Sequence, residues 1–347
     1  MRVLVAMSGG VDSSVAAALV QRDGHEVVGA TMKLWGGPSD SGCCSVADVE
    51  DARRVAQQLG IPHHVFNFTD DFERDVVGPY VEDHRRGRTP NPCVACNRHL
   101  KFDRFLVRAR QLGFDAVATG HHARVTTAAD GRPALGRGRD RAKDQSYVVH
   151  MLRTEQLERI LFPVGEHTKA EVRAEAVRLG LRTATKPDSQ DVCFISRSGG
   201  RSEFLGARIA LRAGRVIDAR SGEELGEVPA VELVTVGQRR GLAMGGDPSE
   251  RRYAVEVDVP GGRVVLGRLE DLMVDEVPVD GVGWVGDPLA PGSPTTAQCS
   301  AHGPALPATW TPGVVRFDAP TRRVAPGQSV VLYESDLVVG GGVAAAG

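Results

Sequence analysis

An apolar run over residues 3–7 stops at Ser8-Gly9-Gly10, and apolar positions resume at once in an alanine-rich stretch reaching Val20. The run predicts a short buried strand, and the helix-start residues Asp12, Ser13 and Ser14 predict a helix directly behind the glycine turn. The alternation continues with strands at 26–32, 64–68 and 116–119, the last ending at Gly120-His121-His122. Between and after them, helical spacing covers 46–59, 71–84, 98–111, 144–151 and 169–179. Such a sequence predicts a parallel α/β sheet with ligands at the carboxyl ends of its strands. A "DG" turn between residues 124 and 139 predicts a hairpin excursion, and "RTPNPCVACNRHLKF" reads as a proline-broken loop leading into a helix. His63 and His64 enter what reads as a buried strand.

After about Gly199 the pattern changes to short alternating runs at turn-sized intervals: "RVIDA", "VELVTV", "YAVEVDV" and "GRVVLG". From about Met273 "GVVRF" and "QSVVLYE" continue it, so two small β-rich domains are expected, as barrels or sandwiches. The expected division is 1–199, 200–272 and 273–347, with "GGGVAAAG" as a frayed end. A length of 347 residues fits two or three domains. The formal charge of -2 argues against wholesale coating by nucleic acid but leaves room for local basic patches. No apolar stretch approaches membrane-spanning length and no signal-peptide pattern opens the chain, so a cytoplasmic protein without a membrane partner is expected. Its six Cys are then expected to be reactive, metal-binding or buried rather than paired for structure.

Strand, glycine turn and helix N-terminus together form an anion site, where backbone N–H groups and the helix dipole face a phosphate. A Walker A loop adds a Lys, yet no Lys or Arg lies between Arg2 and Arg22, so the loop carries no cation of its own for a γ-phosphate. Ser8-Gly9-Gly10-Val11-Asp12-Ser13-Ser14 resembles the pyrophosphate loop of the ATP pyrophosphatases, which release AMP and pyrophosphate while adenylating a carbonyl oxygen. Asp12 can start the helix, hold Mg²⁺, or both.

Cys93 and Cys96 form a C-x-x-C near a helix start, surrounded by Arg85, Arg86, Arg88 and Arg98, which favours thiolate. Cys193, in "KPDSQDVCFI", sits on a loop that presents one thiol to the edge of a site. Cys299 stands apart and reads as partly buried. Zinc held with Cys43-Cys44 is disfavoured, because adjacent cysteines rarely reach one tetrahedral ion together. An iron–sulfur cluster on Cys93, Cys96 and Cys193 is the better metal alternative. The run "GRGRDRAK" from Gly136 is a candidate for contact with nucleic-acid phosphates.

The loop, "GRTPNPCVACNRHLKF", "ATGHHA", "KDQSYVVHML", "FPVGEHTKAEVRAEAVRLGL", "KPDSQDVCFI" and "TVGQRRGL" occur in the order found in the tRNA-specific 2-thiouridylase (MnmA) family, and the resemblance runs over nearly the whole chain. It implies an N-terminal adenine-nucleotide α-hydrolase-like domain followed by two small β-rich domains. It implies a tRNA-uridine 2-sulfurtransferase using ATP with Mg²⁺ on the tRNAs for Lys, Glu and Gln, supplied by a cysteine desulfurase or sulfur-relay protein. ATP would lie against Ala6, Met7, Ser8, Gly9, Gly10, Val11, Asp12, Ser13, Met32 and Gly120. Cys96 and Cys193 would be catalytic, Cys193 carrying the persulfide. Asn91, Pro92 and Cys93 would line the target-base pocket, with Cys93 standing where relatives often carry Asp. His121, Lys143, Asp144, Gln145 and Gln328 match positions that touch tRNA. No resident metal site is implied.

The chemistry fits those roles. Wobble uridine must leave the stack to enter a protein pocket, and its C2 oxygen leaves readily only once adenylated. Either Cys193 persulfide attacks C2, or Cys96 liberates hydrosulfide that does. The sequence departs from the family at Val228, where relatives usually carry His. It departs again at "TAQCSAHG" around Cys299, where they carry an Arg-rich strand for which Arg316, Arg322 and Arg323 could compensate. Two other classes fit parts of the pattern: a non-catalytic tRNA-binding protein and a small-metabolite adenylating ligase.

Overall fold

The computed structural model describes residues 1–35, 45–188, 192–195, 199–242 and 251–346. The first half contributes β1 (Arg2–Ala6), β2 (Glu26–Lys33), β3 (His63–Asn67), β4 (Ala116–Thr119), β5 (Ala123–Thr127), β6 (Pro133–Arg137) and β7 (Ile160–Leu161). Of these, β3-β2-β1-β4-β7 form, in that order, an all-parallel sheet. Side chains alternate across it. Val3, Val5 and Met7 pack against α1 (Val11–Arg22), α2 (Val46–Leu59) and the helix Lys169–Arg178. Leu4, Ala6, Ala30 and Met32 face the opposite layer, the helical stretches 69–85 and 92–111. Strand order reverses between β1 and β4, so the crevice at their carboxyl ends is the topological switch point.

Several local predictions change. The helix expected from residue 98 begins at Pro92 and runs on, through a π-helical stretch, to Gln111. Proline fits the first helical position, where no N–H is needed, and the Asn91 side-chain oxygen caps it by accepting from the N–H groups of Cys93 (3.0 Å) and Val94 (3.4 Å). The C-x-x-C therefore lies on a helix, not a loop. Residues 144–151 hold only the 3₁₀ turn Ser146–Val149, because Asp144 captures the Ser146 N–H and hydroxyl. "VELVTV" forms the 3₁₀ turn Val231–Leu233, which sends Val231 and Val234 into a core. Helix returns at Gly200–Gly206. Strand β3 is an exposed edge rather than a buried strand, although His63 Nε2 meets the Thr31 hydroxyl at 2.9 Å.

Downstream, β8 (Gly214–Asp218), β9 (Glu224–Val228), β10 (Tyr253–Asp258) and β11 (Arg263–Gly267) make a second sheet, ordered β10-β11-β8-β9, whose core includes Val228. Then β12 (Met273–Trp284), β13 (Ser293–Gln298), β14 (Ala305–Thr311), β15 (Val314–Arg322), β16 (Ser329–Glu334) and β17 (Leu337–Ala344) close into a barrel through β12–β17 pairing. The glycine-rich end is thus a paired strand instead of a frayed tail. Its glycines are needed for contact: a Cβ on Gly341 would lie 2.7 Å from the Val330 carbonyl oxygen and His150. The β5–β6 hairpin leaves the first domain and joins this third sheet through β6–β17.

That junction is held by Arg137. Its guanidinium bonds Asp144 at 2.8 Å and lies 3.6 Å from the centre of the Tyr333 ring, with both charged side chains largely buried. Replacing Arg137 by Ala leaves the Asp144 carboxylate buried without its cation. The expected loss is about 3 kcal/mol of stability in denaturant unfolding, whereas Arg141→Ala, at an exposed pair with Asp336, changes it by less than about 1 kcal/mol.

Candidate active site

The loop leaving β1 and the loop leaving β4 meet at the switch point. Gly10 caps α1 without a side-chain bond, so the first-turn N–H groups keep their donor capacity for a ligand. Ser13 Oγ accepts from Ser8 N at 3.1 Å and Ser14 Oγ donates to Gly10 O at 2.8 Å, which fixes the turn. Gly9 has φ +74°, and a Cβ there would lie 2.2 Å from the Asp48 carbonyl oxygen. A Cβ on Gly120 would lie 2.6 Å from Ser13 N. Only glycine permits either approach, which leaves a bare backbone cradle suited to phosphate oxygens.

The loop has no cation of its own, but the fold supplies two from far along the chain. Lys169, at the start of its helix, reaches Asp12 at 2.7 and 2.6 Å and Asp188 at 3.0 Å. Burial pushes the Asp12 carboxyl up, but bonds from His122 and Lys169 outweigh this and hold it below the usual carboxylate range. Lys186 donates to Gly9 O (2.9 Å), Asp48 (2.6 Å) and Asp51 (2.8 Å), spending its three protons on the loop's own framework. Burial lowers its pKa, yet the two carboxylates more than restore it and keep the ammonium charged. Asp188 also binds Lys143 at 3.0 Å and Arg173 at 2.7 Å. Neither lysine was legible as a loop cation from its spacing, since only the fold makes them neighbours. The start of the Lys169 helix is a recognisable capping box, with Thr168 and Glu171, but that marks a helix and not a ligand.

Cys96 is buried in the core cluster that contains Phe194, and half-buried Cys193 packs against the same cluster. Phe194 sits among aromatic rings, 5.6 Å from Phe72, 5.4 Å from Tyr80 and 5.0 Å from Phe204 between centroids, and so anchors the turn that holds Cys193. Val192–Ile195 is a turn, as the loop reading of Cys193 expects. Cys93 is half-buried in the first turn of its helix. Ser189, Gln190 and Asp191, and with them Cys43 and Cys44, lie outside the described residues. Among the described residues no group of three or more His, Cys, Asp or Glu is placed to hold a metal ion, so the three-thiolate cluster does not fit.

Met32 is buried on β2. His121 is buried too, donating or accepting at Thr119 Oγ1 (2.7 Å) and packed against Phe102 and Phe162. Burial drives its pKa well below the ordinary value. Gln145 accepts from His122 N at 2.9 Å, and Asp144 serves the Arg137 junction. The Gln328 amide donates to Thr89 O. In the basic run Arg137 is interior, while Arg139 and Arg141 pair with Glu171 and Asp336. Cys299 is buried enough to push its thiol up to about 12.

A parallel sheet with a glycine–serine cradle at its switch point defines a nucleotide-binding α/β protein of the HUP, or PP-loop, type. The family model described as the tRNA methyl transferase HUP domain matches residues 1–197. The tRNA methyl transferase PRC-barrel and aminomethyltransferase beta-barrel models match 202–268 and 295–344. The tRNA-specific 2-thiouridylase MnmA of Mycobacteroides abscessus is 47% identical, covering 99% of both chains. That of Mycolicibacterium smegmatis is 47% identical, over 97% of this chain and 96% of its own. That of Moorella thermoacetica is 43% identical over 98% of each. The chain belongs to the tRNA-specific 2-thiouridylase family. Among the described residues no helix is long and apolar enough to cross a membrane.

Proposed function

We propose that this protein carries out ATP-dependent 2-thiolation of the wobble uridine of tRNA. The observation that carries the reading is the pairing of an ATP-type phosphate cradle with Cys96 and Cys193 on one core cluster of the same domain. The cradle Ser8–Ser13 and Gly120 would take the phosphates, with Met32 and the β1 end residues Ala6 and Met7 beside the nucleoside. The hard oxygen donors of Asp12 suit Mg²⁺, which when bound with ATP neutralises phosphate charge. Asn91, Pro92 and Cys93 would border the extruded base, and Lys143, half-exposed in its ion pair with Asp188, would be the cation that a tRNA phosphate meets.

Attack of the uridine C2 oxygen on the α-phosphorus forms the adenylate and expels pyrophosphate. The terminal sulfur of a Cys193 persulfide then bonds to C2, and AMP departs with the former carbonyl oxygen. Cys96 thiolate attacks the inner sulfur, the S–S bond breaks, and the electron pair leaves with the sulfur now on uridine. A Cys96–Cys193 disulfide remains for an external dithiol to reduce. The sulfur donor is a cysteine desulfurase or relay protein, and the tRNAs for Lys, Glu and Gln are the substrates.

The test is mass spectrometry of the tRNA wobble nucleoside after incubation with ATP, Mg²⁺ and a cysteine desulfurase. A mass gain of one sulfur for oxygen is expected, and its absence overturns the reading. The nucleotide products should be AMP and pyrophosphate, one pair per thiouridine, because only attack at the α-phosphorus leaves the adenylyl group on oxygen. ADP and inorganic phosphate as main products, read by ion-exchange chromatography, would contradict that route. AMP formation unaffected by omitting tRNA would point instead to a small-metabolite ligase.

A further inference from the structure

Two histidines follow Gly120 and take different partners. His121 packs on Phe102 and Phe162, while His122 Nε2 lies 3.2 Å from Asp12 Oδ1, in the first turn of α1. The His122 side chain is buried, and one residue grips its backbone twice. His122 N donates to Gln145 Oε1 at 2.9 Å, and Gln145 N donates to His122 O at 2.8 Å. Gly138 closes over the same carbonyl, where a Cβ would lie 2.5 Å from His122 O. With Gly120 already pressed against Ser13 N, the turn 120–122 is fixed on α1 without help from the ring's own bond. Burial alone would raise the Asp12 carboxyl, but bonds from His122 and Lys169 bring it below its usual range, so it is ionised at neutral pH and only accepts. Its partner nitrogen, Nε2, therefore carries a proton, an assignment made from the partner. Nδ1 is buried without a hydrogen-bond partner among the described residues, which leaves Asp12 as the ring's one polar contact there.

We infer that His122 is a positioning residue for adenylation: its Nε2–H keeps the Asp12 carboxylate in place when the Lys169 ammonium turns from it to phosphate. This rests on the proposed function. Lys169 spans both Asp12 oxygens and also reaches Asp188, so the same ammonium is contested once pyrophosphate oxygens gain charge beside it. Asp12 then loses its cation while facing a growing anion. The His122 bond remains, because its donor stands on a backbone clamped by Gln145 and Gly138. The ring acts through Asp12 and needs no contact with a reacting atom.

The test uses the full chain with His122→Phe, which keeps a ring but no donor, and His122→Gln, whose amide nitrogen reaches the place of Nε2. The first readout is pyrophosphate release in a single turnover at saturating ATP and tRNA. His122→Phe should slow it about 30-fold, the scale of one hydrogen bond to a charged group, while half-saturating ATP moves less than about threefold. His122→Gln should recover most of that loss, to within about fivefold of wild type. A wild-type rate in His122→Phe, a change in half-saturating ATP alone, or a His122→Gln variant as slow as His122→Phe overturns the inference. The second readout needs no turnover: NMR of isotope-labelled histidine rings in the wild-type protein, with the His122 signals identified by their absence from either variant. A proton on Nε2 is expected, its signal displaced in Asp12→Ala. Nε2 without a proton, or a signal indifferent to Asp12→Ala, also overturns the inference. If the wild-type protein releases no pyrophosphate with tRNA, the functional reading fails, and the ring signals still decide whether His122 donates to Asp12.

Discussion

Cys193→Ser and Cys96→Ser are each expected to abolish thiouridine formation, by on the order of 10³-fold or more, while adenylation of tRNA, read as pyrophosphate release, persists. Serine keeps the size of the side chain but forms neither a persulfide nor a disulfide, so sulfur transfer stops at its first or second bond exchange. The phosphate cradle is built from Ser8–Ser13 and Gly120, none of which either thiol helps to hold. Cys93→Ser is expected to retain activity within about threefold, because thiol–disulfide exchange needs only two sulfurs. A single turnover without reductant is expected to leave a Cys96–Cys193 disulfide, read by mass after alkylation. Loss at Cys93 equal to that at the other two would restore the case for three-thiolate chemistry.

Lys169→Met is expected to lower ATP-dependent AMP formation by about 10²-fold, with the larger part in the rate at saturating ATP. Its ammonium is bound to the side-chain carboxylates of Asp12 and Asp188, and it can exchange them for phosphate oxygens as negative charge builds on departing pyrophosphate. Lys186, by contrast, is locked to a backbone carbonyl and two framework acids. Lys186→Met is expected to weaken ATP binding by distorting Gly9 and to leave Asp48 and Asp51 facing each other. Steady-state kinetics in ATP separate the two. A Lys169 variant altered only in ATP KM would assign that lysine to ground-state binding alone.

The parallel sheet was legible because β1, β2 and β4 are short apolar runs separated along the chain by helix-spaced segments. The start of the cysteine helix was misplaced because Pro90 and Pro92 read as breakers, whereas a proline at the first helical position breaks nothing. "VELVTV" alternates like a strand, but two of its valines satisfy a core equally well from a tight turn. The cradle could be read locally, residue by residue. Its cations could not, since Lys169 and Lys186 meet Asp12 and Gly9 only after four crossovers of chain. His121 and Asp144 show the same limit: only the fold reveals that His121 meets Thr119 in the interior and that Asp144 binds Arg137.

The pairing of β17 with β6 has a consequence for the order in which the chain is made. Leu337 and Val338 pair with Gly136 and Leu135, so the hairpin leaves the ribosome roughly 200 residues before its partner, a wait on the order of tens of seconds at ordinary elongation rates. During that interval the edge of β6 is bare, and the barrel seam, which also needs β17 beside β12, stays open. One late strand then seals both, joining the first-made domain to the last-made one in a single closing event. A message that stops short of Leu337 yields a nascent chain carrying three unsatisfied strand edges, on β6, β12 and β16, the template on which neighbouring nascent chains pair with each other.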